Sequence, residues 1–174
     1  MEATASTQIA PGKACGTCTM CCKVIPIPEL AKPAARWCRH AVPGRGCGMY
    51  ENRPAVCRRF YCYWMVDPAL GPEWKPERAK FVMFPDSDCP EMLNVMVDPA
   101  FPDAWTRRPF FAAIKDWVAL GAPSGRFALV HVGSRLTAVL PDSIVELGTV
   151  KPSFTLLRER DLTGRMVTLR VQPD

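Results

Sequence analysis

The stretch Cys15-Gly-Thr-Cys18-Thr-Met-Cys21-Cys22 decides how the first third of this 174-residue chain is read. A C-x2-C pair makes a tight turn whose two sulfurs reach one ion, at about 2.3 Å when that ion is zinc. The repeat C-x2-C-x2-C is also the opening three-ligand run of a bacterial iron–sulfur motif, in which a remote cysteine supplies another ligand. The match to that motif stops at Cys21, because no Cys-Pro follows three residues later. Adjacent residues point their side chains apart. Cys21 and Cys22 therefore serve two sites, or one of them packs, or one is reactive.

Eight of the nine cysteines fall between residues 15 and 62, with Cys38, Cys47, Cys57 and Cys62 following the first four. Met1 to Lys13 does not read as a secretory signal, so a cytoplasmic, thiol-reducing compartment is expected. There a cysteine cluster points to metal binding or catalysis rather than to a disulfide framework. Cys38-Arg-His40 adds a histidine to the candidate ligands, and Cys47 sits between Gly46 and Gly48, where backbone can approach an inorganic core. Cys57 and Cys62 lie five apart, which on an unbroken helix is about 140° at roughly 100° per residue, so a helix there must end near Phe60 for them to share an ion. The candidate ligands are Cys15, Cys18, Cys21, Cys22, Cys38, His40, Cys47, Cys57 and Cys62. They exceed the needs of one four-coordinate ion; two ions, or one cluster plus spare thiols, fit the count. Cys89 stands apart beside an acidic turn and His131 lies in an apolar strand pattern, so both read as structural residues. Trp37, Phe60, Tyr61, Tyr63 and Trp64 read as a shield and core for the site.

Charge follows the cysteines. Residues 1–64 hold nine Lys/Arg against three Asp/Glu, a formal +6, and the rest of the chain holds 13 against 14, a formal −1. A basic segment suggests nucleic acid. It equally suits charge compensation, since metal-bound cysteines are thiolates and four of them on one zinc ion leave a net −2. No known finger spacing is matched, so nucleic acid is the least favoured partner. No run of about 18 apolar residues is present, so no membrane-spanning helix is expected.

The organisation expected is a flexible tail over 1–13, a loop-rich cysteine module over 14–65, a connector over 66–79 and a small unit over 80–174. Asn52-Arg53-Pro54 reads as a helix start with Asn52 as the cap. Lys80 to Phe84 and Met92 to Val97 read as paired strands. Phe110, Ile114, Trp117 and Val118 repeat at helical spacing until Gly121. Phe127 to Val132 and Leu136 to Leu140 flank Gly133-Ser134-Arg135 as a hairpin, and Ile144 to Leu147 and Met166 to Val171 supply further strands. The fold class is therefore α+β, a cysteine and metal module packed on a small antiparallel sheet plus helix. Nothing in residues 80–174 has catalytic spacing.

The series Cys15-x2-Cys18-x2-Cys21-Cys22, Trp37-Cys38 and Gly46-Cys47-Gly-Met-Tyr50-Glu-Asn-Arg53-Pro54-x2-Cys57-Arg58-x-Phe60-x-Cys62 resembles the bacterial YkgJ-type cysteine-cluster (CxxCxxCC) proteins. The resemblance covers residues 14–65, with Met49 where many members carry Ile. It implies a zinc- or iron-chelating domain, the metal left open. A related cysteine-cluster domain in a flagellin lysine methylase implies an iron–sulfur cluster, and with it an enzymatic alternative; neither a Gly-rich S-adenosylmethionine loop nor the C-x3-C-x2-C spacing is present here. Arg53 and Arg58 match the family pattern, as donors to cysteine sulfurs or as partners of acids such as Glu51. Three functional expectations follow. The module chelates zinc as a folding staple while the remainder binds a protein partner. Or it holds an iron–sulfur cluster, redox-active or enzymatic. Or it is a basic zinc module for nucleic acid.

Overall fold

The computed structural model describes residues 9–151 and 154–173; the tail expected over 1–13 lies largely outside them. What is described of the tail is tied down. Ala10 is buried and its amide donates to the Met65 carbonyl at 2.8 Å. The Lys13 ammonium donates to the carbonyls of Asp67 and Leu70.

The cysteine module is built of very short elements. Helix α1 is Met20–Val24, strands β1 (Ala41–Val42) and β2 (Gly46–Cys47) form a minimal hairpin, and helices α2 (Ala55–Arg59) and α3 (Tyr63–Val66) follow. The prolines at 26, 28 and 33 explain the brevity, since each removes a backbone donor and restricts the residue before it. Asn52 does not cap α2. It sits in a 3-10 turn, Tyr50–Asn52, and Pro54 occupies the cap position with no side-chain bond. The segment expected to be a connector contributes to the core instead. It forms a 3-10 turn at Pro72–Trp74 and helix α4 at Pro76–Ala79. Trp74 stands edge-on to Phe110 and Phe81, with centroids 4.8 and 6.3 Å away.

The remainder is α+β. Strands β3 (Phe81–Pro85), β4 (Met92–Val97), β5 (Phe127–Val132), β6 (Arg135–Val139) and β7 (Ile144–Thr149) pair in that order, with helix α5 (Phe110–Leu120) between β4 and β5. The sheet is antiparallel except for β4 and β5, which run parallel. The helical crossover permits this, because parallel neighbours need a connection long enough to return the chain to its starting end. Gly133, at φ +61°, turns the β5–β6 hairpin. Strands β8 (Phe154–Arg160) and β9 (Met166–Pro173) form a separate hairpin. No helix of the described residues is long and apolar enough to cross a membrane.

Strand alternation divides the sheet into two faces. One face carries Phe81, Met83, Leu93, Val95, Ala128 and Val130 and is covered by Phe110, Ile114 and Val118 of α5. The other face has two covers. Val82 and Met96 lie under Met20, Val24, Cys62 and Met65 of the cysteine module. Phe127, Leu129, Leu136 and Ala138 lie under Met166 and Leu169 of the β8–β9 hairpin. A cleft of about 510 Å³ lies between the sheet and the β8–β9 hairpin, bordered by Asp86, Asp88, Asn94, His131 and Arg158. The module is fixed to the sheet at both ends of β3 and β4. Phe60 stands edge-on to Phe84 at 5.2 Å, and the Lys23 ammonium pairs with the buried Asp98 carboxylate at 2.6 Å.

Candidate metal centre

Each thiol is placed by a local backbone device. The Cys18 amide donates to the Cys15 carbonyl at 2.9 Å, which closes the C-x2-C turn. The first turn of α1 then delivers Cys21 and Cys22 side by side. The Cys38 amide donates to the Cys22 carbonyl at 2.9 Å and brings the next cysteine across. Cys38 in turn accepts from the Ala41 amide, and Ala41 pairs with Cys47 in the β1–β2 register. Gly46 makes this hairpin possible. Its φ is +99°, and a Cβ there would stand 2.8 Å from the Gly16 carbonyl oxygen, so only glycine lets the hairpin lie against the Cys15–Cys18 turn. Helix α2 carries Cys57 and ends at Arg59; the chain is extended at Phe60, and Cys62 begins α3.

The result is a single cavity of about 100 Å³ lined by Cys15, Cys18, Cys21, Cys22, Cys38, Cys47, Cys57 and Cys62. All are free thiols. Its other walls are mostly apolar, among them Ile27, Phe60, Trp64, Met65 and Val82, with Arg53 and Tyr50 the polar exceptions, and among the described residues no carboxylate or imidazole lines it. His40 is not brought there; its Nε2 accepts from Arg39 Nε at 3.1 Å in the turn before β1. Cys89 lies in the other cleft, where the Arg158 guanidinium donates to its sulfur. His131, on β5, has its Nε2 3.2 Å from the Asn94 side-chain oxygen, and burial pushes its pKa down to about 4. Of the expected aromatic shield, Phe60 and Trp64 line the cavity, whereas Trp37 is exposed, with the Lys23 ammonium over its ring.

Five of the thiols, Cys15, Cys18, Cys21, Cys57 and Cys62, are held proton-bearing by their surroundings. Burial pushes up Cys15, Cys18 and Cys57, and takes Cys62 to about 11. Cys21 is raised further, first by the hydrogen bond its thiol donates to the Cys22 sulfur and then by burial. The same bond lowers Cys22 to about 7, helped by the positive charges of Lys32 and Arg53. Lys32 was not legible as a site residue. It is 7% exposed, and its ammonium donates to the carbonyls of Lys23, Ile25 and Pro33. Its pKa is lowered by burial and raised by the nearby Cys38, Cys22, Cys21 and Cys57. No feature of its sequence position separates it from a surface lysine. Arg53 Nε donates to the Tyr50 carbonyl at 2.8 Å and its guanidinium stacks 3.6 Å from the Tyr50 ring centroid. The basic excess thus divides: Lys32 and Arg53 face the thiols, while Arg36, Arg39, Arg45, Arg58 and Arg59 are exposed.

Among the described residues no three His, Cys, Asp or Glu side chains converge closely enough to grip an ion as they stand. They surround a cavity rather than a point. The donor set nonetheless has a definite chemistry. Sulfur-only donors in an apolar enclosure suit zinc, copper(I) or an iron–sulfur cluster and do not suit calcium or magnesium, which require oxygen. Each thiol must lose its proton to bind, and a cation is what would make that favourable in so desolvated a place. No family model, no curated protein and no solved structure matches the chain.

Proposed function

We propose that this protein chelates a thiophilic metal, zinc or iron, in the cysteine cavity. The observation that carries the reading is that eight cysteines, spread over residues 15–62, line one enclosure to which no acid among the described residues contributes. Packing alone does not account for so many thiols around an open space, since buried cysteines that serve as small hydrophobes fill space rather than surround it. The placing of Lys32 and Arg53 supports it too, because thiolates bound to a metal leave negative charge that two cations beside them offset. The resemblance of residues 14–65 to the YkgJ-type cysteine-cluster proteins points the same way. Zinc held there would supply folding energy to the module, and an iron–sulfur cluster would add redox capacity.

The test is purification of the full chain without oxygen, followed by a visible spectrum and elemental analysis. Zinc binding gives a colourless protein with stoichiometric zinc. A cluster gives a brown protein containing iron and acid-labile sulfide. A chain that contains neither metal, and takes up neither when supplied with zinc or with iron and sulfide under reducing conditions, overturns the reading.

A further inference from the structure

The cavity is one space, but its thiols do not form one group. Cys62 is buried in the apolar cluster with Met20, Met65 and Val82, and the cysteines packed against that cluster are Cys15, Cys18 and Cys21. The Cys15 sulfur is 3.2 Å from the Met65 sulfur, which marks how close this group lies to the sheet. The other four thiols are joined by different contacts. Cys38 is bonded through its backbone to Cys22, and Cys47 is held beside Cys38 through Ala41. Cys57 completes this group: its thiol feels the charges of Cys22, Cys38 and Cys47. Cys62 correspondingly feels Cys15 and Cys18. Cys57 and Cys62, five apart in sequence, are thus turned to opposite groups by the break at Phe60. The groups meet at Cys22, whose sulfur accepts a hydrogen bond from the Cys21 thiol and whose charge Cys15 also feels.

We infer that the cavity contains two four-thiolate centres side by side, an inner one of Cys15, Cys18, Cys21 and Cys62 against the sheet and an outer one of Cys22, Cys38, Cys47 and Cys57. This rests on the metal-chelating reading above and assigns its ligands. Cys21 and Cys22 are consecutive on α1 and their sulfurs are in hydrogen-bond contact, so one of the pair goes to each centre and the two centres adjoin there. The count agrees, since two closed sulfur sites take eight thiolates and leave none of the cavity's cysteines over. The outer centre has a counter-charge in the buried Lys32, which feels Cys38 and Cys22 most strongly and also Cys57 and, at the junction, Cys21. The ligand class is a cation that prefers four sulfurs, and His40 belongs to neither set.

Cobalt(II) is the probe, because its bonds to thiolate absorb in the visible and near-ultraviolet. The metal-free, reduced full chain is titrated with Co²⁺ alone. The expected end point is about two ions per chain, each with four-sulfur absorption. An end point of about one ion per chain overturns the two-centre assignment and leaves metal chelation standing. No thiolate absorption at all takes down both. Variants Cys62→Ser and Cys57→Ser then read the two sets separately. Each is expected to bind about half the cobalt, and the double variant none with four-sulfur character. If either single variant loses all of the signal, or none of it, the assignment is wrong. Near-ultraviolet absorption of Trp74 and Trp105 in the sheet core, followed in urea, confirms that each variant tested is folded.

Discussion

The sheet and the cysteine module are held together by opposite means, although they share a face. The sheet is an apolar sandwich in which Val82, Val95, Val118, Phe127 and Ala138 have no exposed surface. Its strands are long enough to pair fully, and α5 presents three buried residues over 11. The module has no helix beyond five residues in α1 and α2, and its hairpin has two residues per strand. Helices so short are not stable by propensity or by their own hydrogen bonds. Its interior is a cavity ringed by thiols, with no disulfide among them. On the metal-chelating proposal, the difference places each half's stability: in buried area for the sheet, and in the bound metal for the module.

Removing metal is the strongest way to break that contrast. Chelation of the loaded protein under reducing conditions is expected to release the module while the sheet stays folded. Hydrogen exchange reads this residue by residue. The amides of Cys38, Ala41 and Gly48, which hold the thiol-bearing loops, should lose protection to near the unfolded rate. Amides of Val95 and Val130 in the sheet centre should keep most of theirs. Uniform loss across both halves would show instead that they unfold as one unit.

The converse perturbation attacks the sheet and spares the metal. Ile114 is 1% exposed at the centre of α5, so Ile114→Ala leaves a cavity that the packed strands cannot close. The expected cost is about 2–5 kcal/mol in urea unfolding. Metal content per folded chain should be unchanged, because α5 and the thiols lie on opposite faces of the sheet. A fall in stoichiometry would mean that the sheet shapes the cavity more than the face division implies.

The same division explains what the sequence disclosed. Strand and helix periodicities are local, so β3 to β7, β9 and α5 were all legible, as was the α+β class. Strand β8 was not. Its apolar Phe154 and Leu156 alternate correctly, but outward-facing Leu157 and the run Arg158-Glu-Arg blur the pattern. The parallel pairing of β4 with β5 depends on where the crossover packs, which no local signal records. Asn52 had a cap's chemistry, yet the preceding 3-10 turn moved the helix start past it. In the site, spacing identified the eight cysteines that line the cavity, but it equally nominated His40, which pairs with Arg39 instead. Lys32 was invisible because its role comes from three carbonyls and four thiols assembled only by the fold.

The smallest effect tests the seam between the two covers of the shared face. His131 pairs in register with Met96, which the module covers, and with Leu136, which the β8–β9 hairpin covers. Asn94 beside it is neutral, and Asp86, Asp88 and Arg158 are the charged groups on the cleft wall. Its pKa is held at about 4, below the ordinary 6.5, so the unfolded chain binds this proton more readily than the folded one. Stability from the neutral imidazole is therefore complete above about pH 6.5 and is lost as pH falls toward 4. Near pH 5 the loss is about 2 kcal/mol. His131→Gln keeps a donor for the Asn94 oxygen and has no such proton to gain. Urea unfolding of the metal-free proteins at a series of pH values should show the wild type losing more stability than the variant through this window. Parallel curves for the two proteins would mean that the seam admits water and that His131 titrates as it does in solution.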